Sequence, residues 1–384
     1  MQTPHPKLSL IEHFKDLPDP RVDRTKDHDL IDILVIAICT LLCAGESFND
    51  MADFGHAKHD WFKTFLRLRN GIPSHDTFNR LFAALDPQAF LDCFLRWTQS
   101  LRAAIPQEIV ALDGKALRRA LNGDQSVKYV VSAWAEDNDL VLGQLKVADK
   151  SNEITALPEL LRALELAGCI VTVDAMGTQK KIAREIIEAD ADYVLALKGN
   201  HETVHEEVKS FLDAAVAEKN AQPVKPSRAA ATLATLETVE KDHGRIETRR
   251  YYQSVALDWF ADRPQWEGLQ SVGLVEAIRE IGAERTVERR YYLSSLPLDV
   301  ATFARAVRGH WGVENKLHWV LDVQMREDQS RARAGYAAEN LATLRRLALN
   351  LLKRENTKRR GIRGKQLNAS WDHAYLLRLL GVPI

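Results

Sequence analysis

Three short apolar runs, each stopped by a polar residue, constrain this fold more than anything else in the chain. Ile109–Leu112 runs into Asp113, Cys169–Val173 into Asp174, and Tyr193–Leu197 into Lys198. Runs this short, apolar at nearly every position, suit strands covered on both faces better than helices. Helical stretches separate them: Glu153–Leu166 ends at Gly168, and Thr178 caps Gln179–Ala189. Before the first of these helices, Tyr129–Ala135 and Leu140–Val147 flank the turn-prone Asp137-Asn138-Asp139 and read as a hairpin. Strand, hairpin, helix, strand, helix, strand predicts an α/β fold, a mixed sheet with helices on its faces.

The flanks differ in kind. Residues 1–100 predict helices, with Ile31–Cys43 buried and Ser74 capping His75–Leu85 after the break at Gly71-Ile72-Pro73. Such a unit either enters a DNA groove or simply packs. Residues 232–296 are again strand-like, without a clear catalytic constellation, and Ala337–Lys353 predicts a further helix. Seven Lys or Arg fall between Lys353 and Lys365, either a solvated segment or a set of phosphate contacts. A net charge of −1 excludes a global basic field, so any nucleic-acid partner must be met by local patches. The longest apolar run, Ile31–Ala44, contains Asp32 and is too short to span a bilayer. The four cysteines lack ligand or disulfide spacing, and Cys39 and Cys43, four apart on an apolar helix, read as core thiols. These features predict a cytoplasmic chain with no membrane partner.

Between Thr302 and Arg331 the helical period puts Val307, Trp311, Glu314, Leu317, Leu321 and Met325 on one stripe. Glu314 interrupts that stripe, and a buried carboxylate needs a cation or a hydrogen-bond network. A structural pairing with a nearby Arg or His is one reading. The other joins Glu314 to Asp113 and Asp174, which sit where ligand and catalytic groups collect in α/β sheets. Carboxylates gathered in one place repel unless a cation holds them, and Mg²⁺ is the hard ion suited to oxygen ligands and phosphate substrates. Lys115 and Lys198 are candidate phosphate contacts, with solvated surface charge as the alternative.

The order D…D…E resembles the ribonuclease-H-like catalytic core of DDE transposases. Longer motifs make the chain similar to the H-repeat-associated insertion-sequence transposases: LPDPR, NGIPSHDTFNRLF, ALDGKALRRA, TVDAMGTQKKIA, YVLALKGNH, DHGRIETRR and RGHWGVENKLHWVLDV. The resemblance implies a helical N-terminal domain (1–100), a ribonuclease-H-like mixed-sheet core beginning at 101–218, and a β-rich insertion (219–298). The Glu-bearing helix and a basic helical C-terminus (299–384) would complete it. It further implies that Asp113, Asp174 and Glu314 hold Mg²⁺ or Mn²⁺ for strand cleavage and transfer. DNA, as element ends and target, would be the partner, bound by a homodimer in the nucleoid. Candidate DNA contacts are Lys115, Lys198, Arg308, His310, Lys316 and His318. One departure stands out: where a related group carries Tyr, Arg and Lys around the Glu, this chain has Val307, His310 and Leu321. A non-transposing metal nuclease on the same core and a catalytically silent DNA-binding relic remain open alternatives.

Overall fold

The computed structural model describes residues 10–121, 127–147, 153–242 and 244–381. The first hundred residues form α1 (Leu10–Phe14), α2 (Leu30–Leu42), α3 (Phe48–Ala57), α4 (His59–Phe62), α5 (His75–Ala84) and α6 (Pro87–Leu101). Local chemistry sets their starts. Ser47 and Asp50 form a capping box on α3, and the Ser74 hydroxyl accepts from the Thr77 N–H on α5, as the sequence predicts.

The chain then builds β1 (Ile109–Leu121), β2 (Val127–Ala135), β3 (Leu140–Val147), α7 (Glu153–Ala163), β4 (Ile170–Val173), α8 (Lys180–Glu188) and β5 (Asp192–Leu197). These strands lie in the order β3-β2-β1-β4-β5, with β1, β4 and β5 parallel and β2 antiparallel to both neighbours. That is the ribonuclease-H-like mixed sheet expected from the resemblance.

After α9 (Glu202–Ala221) and α10 (Arg228–Thr232) come β6 (Ala234–Asp242), β7 (Arg245–Ser254), β8 (Ser271–Ile281) and β9 (Glu284–Ser294). This β-rich segment does not fold into a separate layer. β9 pairs antiparallel with β5, Val194 opposite Ser294, and the meander continues the sheet to nine strands, β3-β2-β1-β4-β5-β9-β8-β7-β6. Pairing satisfies the row of N–H and C=O groups that β5 would otherwise leave unpaired at a sheet edge.

Alternation along the strands divides the core in two. Ile109, Ile170, Val194 and Tyr292 face α11 (Val300–His310), while Val171, Val173, Tyr193 and Leu195 face the core that α7, α8 and α9 share. Phe303 of α11 lies directly over Gly273 of β8, where a Cβ would sit 2.2 Å from the ring. Asp299 caps α11 by accepting from the N–H groups of Ala301 and Thr302.

Next comes α12 (Ala337–Arg354), buried from Ala337 to Leu352, followed by α13 (Ile362–Trp371) and α14 (His373–Leu379). The α12 helix packs against α2, α5 and α6 as well as β3, so the N-terminal helices share its core. Two of its asparagines tie it to its neighbours: Asn340 donates to the carbonyls of Phe82 and Leu85, and Asn350 bonds both the N–H and C=O of Val141. The basic run at 353–365 is correspondingly less free than its composition suggests. Lys353 is half-buried against Asp139, and Lys365 donates to the carbonyls of Leu352, in the last turn of α12, and Glu355, just past its end. Among the described residues no helix is long and apolar enough to cross a membrane.

Candidate active site

The parallel register of β1 and β4 brings the two aspartates together. Leu112 lies opposite Val173, so Asp113 and Asp174 follow as the next residues on neighbouring strands. Asp113 does not end its strand, as the sequence suggests, since β1 runs on to Leu121 with Asp113 opposite Ser132 of β2. The β4 strand does end there, and the Gly177 N–H donates to Asp174 Oδ1 at 3.1 Å. Strand hydrogen bonding therefore fixes one carboxylate, and a tight turn fixes the other.

Glu314 arrives from the segment after α11, which is not a regular α-helix. Residues Val313–His318 and Val320–Gln324 wind as π turns, and the Met325 N–H reaches back five residues to the Val320 carbonyl at 3.1 Å. Such widened turns recur at functional sites. They also correct the expected stripe. The α period of about 3.6 would have put Glu314 in the buried row. Instead Val313, Leu317, Leu321 and Met325, spaced four apart, are buried, and Glu314, one step on from Val313, is exposed to a cleft. Two glycines let this segment close on the sheet. A Cβ on Gly309 would sit 2.8 Å from Ile109 of β1, and one on Gly312 would overlap the Glu136 carboxylate beyond β2.

The cleft has a volume of about 530 Å³, and Asp113, Asp174 and Glu314 all line it. Burial pushes the Asp174 carboxyl above its usual range; the Gly177 N–H pulls it back, and the charge on Asp113 pushes it up again. Glu314 is raised for the same two reasons, partial burial first and Asp113 second. His310 sits against the Asp pair, its Nδ1 3.0 Å from Thr172 Oγ1; burial lowers its pKa despite both aspartates, which favours the neutral ring. His318 Nδ1 lies 3.3 Å from Asp113 Oδ2, and its Nε2 is buried without a partner among the described residues. Asp113 lies in electrostatic reach of both Asp174 and Glu314, and the latter two resist ionisation; the three form a donor set that a hard divalent cation would relieve. The donor chemistry fits such an ion. The side chains are not drawn into a ready shell, however: among the described residues no three His, Cys, Asp or Glu converge closely enough to hold a metal.

The other candidate residues divide. Lys198 is exposed on the cleft wall, and His310 lies inside it. Lys115 is neither a surface charge nor a cleft residue. It is buried, paired with Asp322, with Glu327 at 2.9 Å and with Asp328 at 3.4 Å, while Arg346 bonds Glu327 from the other side at 2.8 Å. Lys115 lies two residues beyond Asp113 on β1, so alternation keeps it on the same face, further along the strand. Arg308 pairs with Glu240 at 3.1 Å, Lys316 with Glu136, and His318 with Asp113. These three reach carboxylates of the chain itself. Sequence reasoning missed Arg290. It enters the cleft from β9 and lies over the Trp311 ring, 4.5 Å from its centroid. Only the pairing of β9 with β5 brings it there, and no spacing in the sequence signals that.

The fold is a mixed α/β sheet with a carboxylate-lined cleft at the ends of its parallel strands, and comparison with known proteins gives the family. Residues 105–351 match the Transposase DDE domain model and residues 11–98 the DDE_Tnp_1-associated model, so the chain belongs to the DDE-domain transposase family. It is 37% identical to the H repeat-associated putative transposase YhhI of Escherichia coli (strain K12), over 97% of both chains. It is 40% identical to an uncharacterized protein in the dhlA 3′ region of Xanthobacter autotrophicus, covering 77% of this chain and 96% of that one. Among solved structures, a piggyBac transposase synaptic complex with hairpin DNA aligns at a TM-score of 0.45 and 12% identity, over 96% of this chain and 76% of that one.

Proposed function

We propose that this transposase cuts DNA strands at the ends of an insertion-sequence element and joins them to a target, with Asp113, Asp174 and Glu314 as the catalytic and metal-holding residues. The observation that carries this reading is the β1/β4 register, which sets two carboxylates side by side, with Glu314 facing them from the π turns. Mg²⁺ or Mn²⁺ bound there would activate a water or 3′-hydroxyl and stabilise the leaving oxygen of a phosphodiester.

The chain's own residues do the rest. The strand ladder and the Gly177 N–H hold the two aspartates in place. His318 orients Asp113, and neutral His310, tied to Thr172, fills the floor of the cleft without adding a competing cation. Lys198 and Arg290 line the cleft beside Arg289 and are the candidates to meet phosphates; Trp311 braces Arg290, which would exchange its Glu288 partner for the substrate. DNA binding as a homodimer, a role for the helices of residues 10–101 in end recognition, and residence on the nucleoid belong to the same proposal.

The test is cleavage of duplex carrying an element end, in Mg²⁺, by wild type and by Asp113→Asn, Asp174→Asn and Glu314→Gln. Each variant should lose cleavage, still unfold cooperatively at or above the wild-type temperature, and keep end binding. Cutting retained in a folded single variant would remove that residue from the site. Strand transfer from pre-cut ends separates a transposase from a nuclease that only cuts, and wild type inert in both assays would leave a DNA-binding relic.

A further inference from the structure

A second basic cavity lies away from the carboxylates, between the N-terminal helices and the segment that follows the π turns. It has a volume of about 470 Å³. Four arginines line it, Arg326, Arg331, Arg333 and Arg345, against one acid, Glu46. The N-termini of α3 and α5 contribute Ser47 and His75 to its wall, adding the partial positive charge of two helix starts.

Arg345 is the informative member. It is 1% exposed and lies on the buried helix α12, yet it makes no ion pair among the described residues. Its Nε has no hydrogen-bond partner, and its Nη2 makes only a long 3.5 Å contact with the Glu46 carbonyl. Glu327, the buried acid nearby, is already bonded to Lys115 and Arg346. A guanidinium held out of water with one long backbone contact and an unsatisfied Nε, on the wall of an arginine-lined cavity, is poised for an anion that arrives from outside. Arg331 on the rim is exposed and also lacks an ion pair among the described residues.

We propose that this cavity binds a backbone phosphate of the DNA, with Arg345 at its base and Arg331 and Arg333 at its rim. The inference rests on the reading of DNA as the substrate. DNA is favoured over a small free anion because the rim is exposed and because the segment lining the cavity is tied by buried ion pairs to the strand that carries Asp113. The segment holding Arg326 and Gln329 also holds Glu327 and Asp328, and Lys115 ties both acids to β1, two residues from Asp113. A phosphate seated here would fix the duplex relative to the cleft without touching the reacting bond.

The experiment measures duplex affinity of the full chain by fluorescence anisotropy over a salt series, for wild type, Arg331→Gln, Arg333→Gln and Arg345→Gln. Removing one phosphate contact should reduce the slope of log K against log salt by about 0.9. Arg345→Gln should match or exceed the rim variants; should it fail to fold by thermal melting, the rim pair carries the test. Unchanged slopes in Arg331→Gln and Arg333→Gln would overturn the proposal. So would inorganic phosphate raising the wild-type melting temperature, relative to chloride at equal ionic strength, while the DNA slopes stay unchanged; the cavity would then take free phosphate instead. The catalytic reading fails separately, if the carboxylate variants still cut. Wild type that does not bind duplex at all would sink both.

Discussion

Replacing Lys115 with Met tests whether the buried charge network holds the active-site helix to the sheet. Lys115 is 8% exposed and joins β1 to three acids, Asp322 in the π turns and Glu327 and Asp328 just after them. Removing one partner of a buried pair typically costs about 3–5 kcal/mol, because the other charge is left uncompensated. Two features of the network reduce that figure. Glu327 keeps Arg346 at 2.8 Å, and Asp322, with 31% of its side chain exposed, keeps some water. The expected loss is therefore near the lower end, about 3 kcal/mol, with most of it falling on Asp322. It should be largest at neutral pH. Burial already raises the Asp322 carboxyl, and without Lys115 it rises further, so acidification neutralises the acid and removes the penalty. Chemical unfolding of the full chain at two pH values gives the energy, and hydrogen exchange over residues 313–329 locates it. Adding Asp322→Asn to Lys115→Met should restore much of the loss. A loss under about 1 kcal/mol, with exchange over 313–329 unchanged, would refute the idea of a buried staple.

Asp174→Asn should make the metal-free protein more stable at neutral pH. Its carboxyl titrates high in the fold, so it favours folding only below the ordinary carboxylate range, near 4, and opposes it above; the gain should vanish on acidification. Mg²⁺ at about a hundred times its Kd should stabilise wild type by about 2.7 kcal/mol and Asp174→Asn far less, read as a melting shift; equal shifts would take the ion away from these carboxylates. Gly312→Ala should cost about 1–3 kcal/mol, since its methyl would collide with the Glu136 carboxylate and push it off Lys316 and Trp134; an unaltered melting curve would contradict the close approach. Glu327→Gln should flatten the acid limb of the stability profile. Burial opposes its charge, but Arg346 and Lys115 hold the carboxyl well below the usual range, so the stability it adds is present above about pH 4 and lost as pH falls through its folded value.

The strands and the two aspartates were legible because short apolar runs ending in polar residues have few other uses, and the cap at Ser74 acts through a neighbour three residues away. The geometry around Glu314 was less so. A 3.6 period placed it among buried side chains, whereas the π turns moved Val313 into that row and turned Glu314 outward. The fate of Lys115 was hidden for another reason. Its partners Glu327 and Asp328 lie more than two hundred positions away, and nothing local distinguishes a lysine that meets phosphate from one that meets buried acids. Arg290 was invisible until β9 took its place beside β5.

The burial of α12 has a consequence for how this chain comes into being. Helices α2, α5 and α6 emerge early in synthesis, yet the surface that covers them is not made until residues 337–352 follow. The β5 edge likewise waits for β9, nearly a hundred residues later. Contacts of such long sequence separation form slowly and leave apolar faces open in the interval. Glu314 is also late, so the cleft lacks its third carboxylate until most of the chain exists. A copy of the gene cut short before residue 337 would encode a chain with an uncovered helical core, a substrate for proteolysis or aggregation rather than a competing DNA binder.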